Sequence, residues 1–169
     1  MEQLFATLTR ARRENFDLAA VGLPAGAPAE ELPDELPPDL RRLLALSDGP
    51  CFGVRASLHS AGQIGFFQGL EVLALAAGIP DAGHYLNIGF VNEAPLLLDT
   101  ADGSVWAVRD DGGLWYQGCR LERIADSLEV FVFEWVAGPR FPELVQAAVD
   151  DLEWDDWWRL LHAAGRATG

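Results

Sequence analysis

Two dense runs of carboxylates are the most conspicuous chemical feature of this sequence. Glu30, Glu31, Asp34, Glu35 and Asp39 fall within ten residues of one another, as do Asp150, Asp151, Glu153, Asp155 and Asp156, with no base inside either run. Such runs have two readings. Acids stabilise helix N-termini by about 0.3–1 kcal/mol each and raise solubility. They can also face a basic protein surface, where charge complementarity speeds encounter and rejects wrong partners. Trp154, Trp157 and Trp158 lie beside the second run. Tryptophans at i, i+3 and i+4 form one helical face, which favours the core. At a docking surface they would be energetic anchors. The core is the favoured reading, and a mixed outcome with Trp158 exposed and the other two buried is the alternative. The candidate partner-binding residues are therefore Asp150, Asp151, Glu153, Asp155, Asp156 and Trp158, with Glu30, Glu31, Asp34 and Glu35.

Other chemistry finds less support. Nucleophilic catalysis needs a hydroxyl or thiol beside a base, yet the chain has no G-x-S-x-G and no local cysteine signature. His59, His84 and His162 are scattered. His84 stands at a strand entry beside Tyr85, where a structural histidine is a commoner finding than a general base. No H-E-x-x-H, paired C-x-x-C or H-x-E with P-C-x-x-C occurs, so no metal site is expected. Asp99, Asp102, Asp110 and Asp111 lack the closing Glu of a calcium loop and read as turn residues. Without a single lysine the chain has no phosphate-binding G-x-x-x-x-G-K-[ST]. The expectation is a protein that is not an enzyme and carries no cofactor.

Composition narrows the class. At 169 residues the chain suits one domain able to bury about 70% of its unfolded-state surface. Half of its residues are apolar, which excludes a disordered acidic chain. Twenty-six acids against 12 bases, all arginine, give a net charge of −14. That charge repels phosphate backbones, opposes nucleic-acid binding and makes a basic protein the natural partner. The start, Met1-Glu2-Gln3-Leu4, has no signal-peptide pattern, and no apolar run reaches the ~18 residues of a membrane helix. A cytoplasmic protein without membrane contact is expected. Cys51 and Cys119 then read as two reduced thiols, a disulfide between them being the alternative.

These side chains must be positioned by an α+β scaffold. Leu4, Leu8 and Ala11 predict a helix over Glu2 to Val21, ended by the breaker-rich Gly22 to Pro28 stretch. Pro37 and Pro38 mark the entry of a second helix, Leu36, Leu40, Leu43 and Leu44 share its face, and Gly49 stops it. Gln63 to Phe67 reads as a strand and Leu70 to Ala77 as a short helix. Apolar runs at Leu86 to Val91, Leu96 to Asp99, Ser104 to Val108 and Leu114 to Gln117 read as strands. Asp102-Gly103 and Asp111-Gly112-Gly113 are suited to hairpin turns, so the last three form an antiparallel meander. Ile124, Leu128, Phe131, Val132, Trp135 and Val136 predict a helix, with Asp126 and Glu129 as a capping-box-like pair and Gly138-Pro139 as its end. Pro142 opens a helix through Val149, and a last one spans Trp154 to Ala164. The fold expected is a single α+β domain, a central antiparallel meander sheet packed by N-terminal and C-terminal helices.

Three segments, in order, carry a likeness to a known family. Leu36-Pro37-Pro38-Asp39-Leu40 through Ser47-Asp48-Gly49 resembles the opening helix of the SUKH superfamily, the Smi/Knr-like domain. Leu96-Leu97-Leu98-Asp99 through Asp102-Gly103-Ser104-Val105-Trp106 is similar to its strand, aspartate, glycine turn and next strand. Ile124 to Val132 is similar to its closing helix. The likeness covers 36–137, leaving a helix over 2–21 and a helical extension over 141–164 as flanks. Asp48 stands where the family has Asn, and Val91-Asn92-Glu93-Ala94 lacks its Gly-rich segment. The resemblance implies protein binding: bacterial members are immunity proteins that neutralise a cognate toxin, often a nuclease, and fungal relatives are regulatory scaffolds. The expected function is accordingly immunity by direct binding of a basic toxin, with a scaffold domain for an endogenous partner as the alternative. A hydrolase using His84 with Asp99 or Asp102 is a third reading, resting on nearness in sequence.

Overall fold

Short apolar stretches separated by turn residues pair most cheaply with their immediate neighbours in sequence, because loop closure costs least there. The computed structural model, which describes residues 1–15, 17–64, 73, 77–78, 82–109 and 114–167, follows that rule throughout. Seven strands form one antiparallel sheet in the order β1 to β7. They are β1 (Val21–Gly22), β2 (Cys51–Phe52), β3 (Ala56–Leu58), β4 (Tyr85–Val91), β5 (Ala94–Asp99), β6 (Val105–Arg109) and β7 (Arg120–Ala125). The helices are α1 (Glu2–Glu14), α2 (Pro38–Leu46), α3 (Ala61–Ile64), α4 (Leu128–Val130, continued by a π-helical Phe131–Val136), α5 (Phe141–Leu144) and α6 (Asp156–Ala163). The chain is thus one α+β domain with a meander sheet and helices at both ends.

β5 is the centre. All six of its residues are buried, with Leu96 and Leu98 in the large core beneath the helices and Leu97 in a smaller cluster on the other face. Its two hairpins use different turn chemistry. Gly103, at φ +79°, closes the β5–β6 turn by donating its N–H to Asp99 O at 2.8 Å. The β4–β5 turn instead holds Asn92 and Glu93 at φ +48° and +65°, a left-handed conformation that disfavours any Cβ. Upstream in β4, Gly89 passes so close to β3 that an added Cβ would lie 2.1 Å from Ser57 O.

Several boundaries differ from the sequence reading. α1 ends at Glu14, well before Val21, because the Asn15 side chain donates to Ala11 O at 2.7 Å and competes with the helical backbone. Val21 is then free to enter the sheet. Ala61–Ile64 is helical where a strand from Gln63 was expected, and the rest of that stretch lies outside the described residues. So do Asp110 and the Asp111-Gly112-Gly113 turn, and the Leu70 to Ala77 helix apart from Leu73 and Ala77. Leu114 to Gln117 is not a strand: Trp115–Gln117 is a 3-10 turn closed by Gly118, and the last strand is Arg120–Ala125. Ile124 therefore belongs to β7. Ser127, not Asp126, caps α4, its Oγ accepting from Val130 N at 3.2 Å. The C-terminal helix expected through Val149 stops at Leu144, and Val149–Leu152 is a 3-10 turn.

Candidate protein-binding surfaces

The second acid run splits into an exposed half and a structural half. Leu152, fully buried, pins the 3-10 turn Val149–Leu152 to the core and leaves Asp150, Asp151 and Glu153 exposed around it. Trp154 projects from the same segment with 88% of its surface in solvent, and Val149 is 46% exposed. Burial of such an indole at an interface removes about 150–250 Å² from water, the main reason tryptophan anchors protein contacts.

Asp155 and Asp156 face inward and are corrected as partner contacts. Asp155 is the N-cap of α6: its Oδ1 accepts the Trp157 and Trp158 N–H groups at 3.0 Å each. Its Oδ2 is buried without a hydrogen bond, 3.9 Å from Arg55 Nε. Burial pushes its carboxyl above the ordinary aspartate value, while the two backbone N–H bonds and Arg55 pull it down. Asp156 is half-buried, accepting from Ala20 N at 2.8 Å and from Arg159 at 3.3 Å. It ties the end of the chain to the start of the sheet.

Trp157 and Trp158 are buried, and Trp154 is the exposed member of the three. Trp158 is 4% exposed, stacked on Phe141 at 6.3 Å, and touches solvent only at the floor of a shallow groove beside Val149 and His162. Trp157 is fully buried against Phe52, its Nε1–H donating to Val136 O at 2.8 Å. The reason is where the helix begins. α6 starts at Asp156, so Trp154 precedes it and shares no face with Trp157 and Trp158.

The first run stays at the surface throughout. Buried Leu32 and Leu36 anchor the segment, while Glu30, Glu31, Asp34, Glu35 and Asp39 are exposed. Asp34 pairs with Arg41 at 3.2 Å, and Asp39 occupies the first turn of α2. Beside Asp39 a groove opens between Pro37 and Pro38, the Asp99 to Gly103 turn and Leu128. The three segments that carry the family likeness all contribute to its wall.

The Asp99 turn forms one wall of this groove. His84 Nε2 lies 3.6 Å from Asp99 Oδ2, so sequence neighbours do meet in space. The turn's hydroxyls are committed elsewhere. Thr100 Oγ1 donates to His84 O at 2.7 Å, and fully buried Ser104 donates its Oγ–H to Asp102 while accepting from Trp106 Nε1. Asp99 accepts from Ala101 N and Asp102 from Ser104 N, both at 2.9 Å, as turn-forming aspartates do. Hydrogen bonds from Ser104 hold the Asp102 carboxyl below its ordinary value.

Cys51 and Cys119 are free thiols. The single Cys51 S–H has two carbonyl acceptors in reach, Gly53 O at 3.1 Å and Ala20 O at 3.4 Å, and burial raises its pKa, which lowers its thiolate fraction and its reactivity. Among the described residues no three His, Cys, Asp or Glu side chains converge as metal ligands, and no helix is long and apolar enough to cross a membrane. A further groove, which the sequence reading missed, lies between the β4–β5 turn, Gln146 and the exposed Leu114 and Tyr116. The Val91-Asn92-Glu93-Ala94 turn signature was its visible sign.

No protein-family model matches this chain, and a search of curated proteins finds no significant relative.

Proposed function

We propose that this chain is a protein-binding domain that neutralises a basic protein toxin by direct contact, through the surface formed by Trp154 with Asp150, Asp151 and Glu153. The observation that carries the reading is Trp154 itself, 88% exposed among acids that have no partner in the fold's interior. A large indole left in water is costly to solubility and valuable to binding. The flanking carboxylates supply steering toward a cationic surface and the indole supplies the desolvated anchor. Sequestration of this kind needs no catalytic group.

The test is co-expression with the toxin encoded beside the gene, followed by binding kinetics on the purified pair. Growth should be rescued, the association rate should fall as salt rises, and Trp154→Ala should weaken binding by at least about 30-fold, equal to about 2 kcal/mol. Charge reversal at Asp150, Asp151 and Glu153 should act mainly on the association rate. Absence of rescue together with capture of an endogenous partner favours the scaffold reading. Binding indifferent to both salt and Trp154→Ala would remove this surface from the proposal.

A further inference from the structure

The two outer strands of the sheet are finished differently. β1 is two residues long, and the Arg12 guanidinium donates to Val21 O at 3.2 Å, which covers a carbonyl on that side. β7 is six residues long and, among the described residues, pairs with β6 alone. Among the described residues no backbone group outside that ladder bonds to the backbone of Arg120 to Ala125. An open edge of this length is a template for another strand, and natural proteins usually blunt such edges.

We propose that β7 is a pairing edge through which two copies of this chain join, antiparallel and centred on Leu121, into one continuous fourteen-strand sheet.

The side chains select both the occupant and the register. Over Arg120 to Arg123 the β6–β7 ladder is regular, so Arg120 and Glu122 point to one face and Leu121, opposite Val108, to the other. Centring the two-fold axis on Leu121 puts Leu121 against its own copy and each Arg120 against the other copy's Glu122, two ion pairs from one symmetric operation. Centring it on Arg120 or Glu122 sets identical charges face to face, and half-residue shifts oppose side chains from different faces. Arg120 is available for the exchange, its side chain being 75% exposed and 3.9 Å from its own chain's Glu122. Although Glu122 Oε2 accepts from Arg109 Nε at 2.5 Å, its carboxylate has a second oxygen for the other copy's Arg120. Leu121 belongs to the smaller apolar cluster with Val108 and Trp106, which the pairing extends across the junction.

Charge also explains why copies would meet here. With a net charge of −14, two molecules repel over most of their surface. The strand itself carries Arg120, Arg123 and Glu122, and with Asp102 and Asp126 paired to Arg123 its charges nearly balance, so repulsion is weaker here than over the acid-rich surface. A second copy is thus the occupant best matched to the edge.

Sedimentation equilibrium on the full chain at rising concentration tests this. A concentration-dependent dimer is expected. Arg120→Glu, which turns both cross-strand pairs repulsive at an exposed position, should raise the dimer dissociation constant about tenfold or more. The double variant Arg120→Glu, Glu122→Arg regenerates both cross-copy pairs and should recover at least about threefold of that loss, the recovery being partial because position 122 also faces Arg109. Circular dichroism confirms that each variant is folded. Independently, Leu121→Cys lies on the axis and should cross-link to its own copy under mild oxidation, in excess of any wild-type product. A chain monomeric at every concentration overturns the proposal, as does a dimer indifferent to Arg120→Glu, a double variant that stays weak, or no Leu121→Cys cross-link.

Discussion

Asp155→Ala distinguishes a structural acid from a docking acid inside the same run. The carboxylate receives two N–H groups at the start of α6, at 3.0 Å each, and truncation leaves both without an acceptor in a buried place. Loss of an N-cap aspartate costs about 1–2 kcal/mol. In a chain of this length each kcal/mol lowers the melting temperature by about 2–4 °C, so a fall of about 2–8 °C is expected. Asp155→Asn keeps an oxygen acceptor for the two N–H groups and removes the buried charge, so it should lose less than half as much. The pH dependence has a definite sign. Because desolvation raises the folded-state pKa, the stability contributed by Asp155 is complete below its unfolded value and declines as pH rises through the folded one. Asparagine does not titrate, so Asp155→Asn should gain on wild type as pH climbs across that window. Urea denaturation followed by tryptophan fluorescence at several pH values measures all three chains. An Asp155→Ala protein of unchanged stability that no longer binds partner would show the placement to be wrong.

Two further outcomes follow from buried or strained positions. Trp157→Phe removes the donor to Val136 O and leaves a buried carbonyl unmatched, which should cost about 2–3 kcal/mol in urea denaturation. Glu93→Gly should stabilise the protein by about 1 kcal/mol in the same assay, since Glu93 sits at φ +65° where glycine carries no Cβ penalty.

The meander was legible because its signals are local: alternating apolar runs and an Asp-Gly turn act within a few residues. The misplacements have equally local causes. An offset of four is both one helical turn and two strand repeats, so Ile124 satisfied the helical pattern that begins only at Leu128. Asn15 ended α1 through a side-chain bond that no periodicity reports. Leu114 to Gln117 has strand-like residues, yet Gly118 turns the chain at φ +148° before pairing starts. For the docking surface, the sequence located the charge but not the solvent. Asp150 and Asp155 are the same residue type five positions apart, and only the onset of α6 makes one a surface acid and the other a cap. The same boundary decides which tryptophan meets water.

The bonds between the first and last segments bear on synthesis of the chain. Neighbour-to-neighbour pairing lets each hairpin zip as it leaves the ribosome, without waiting for distant sequence. The region around β1 has no such independence. Ala20 N is held by Asp156, Asp17 by Arg159, and Phe52 by Trp157, all from α6. The β1 region therefore waits for α6, which follows it by more than 100 residues, before these contacts can form, and α6 closes the fold like a clasp. Nascent chains stalled before Asp156 should keep the central hairpins but leave the Glu2 to Phe52 region open to protease.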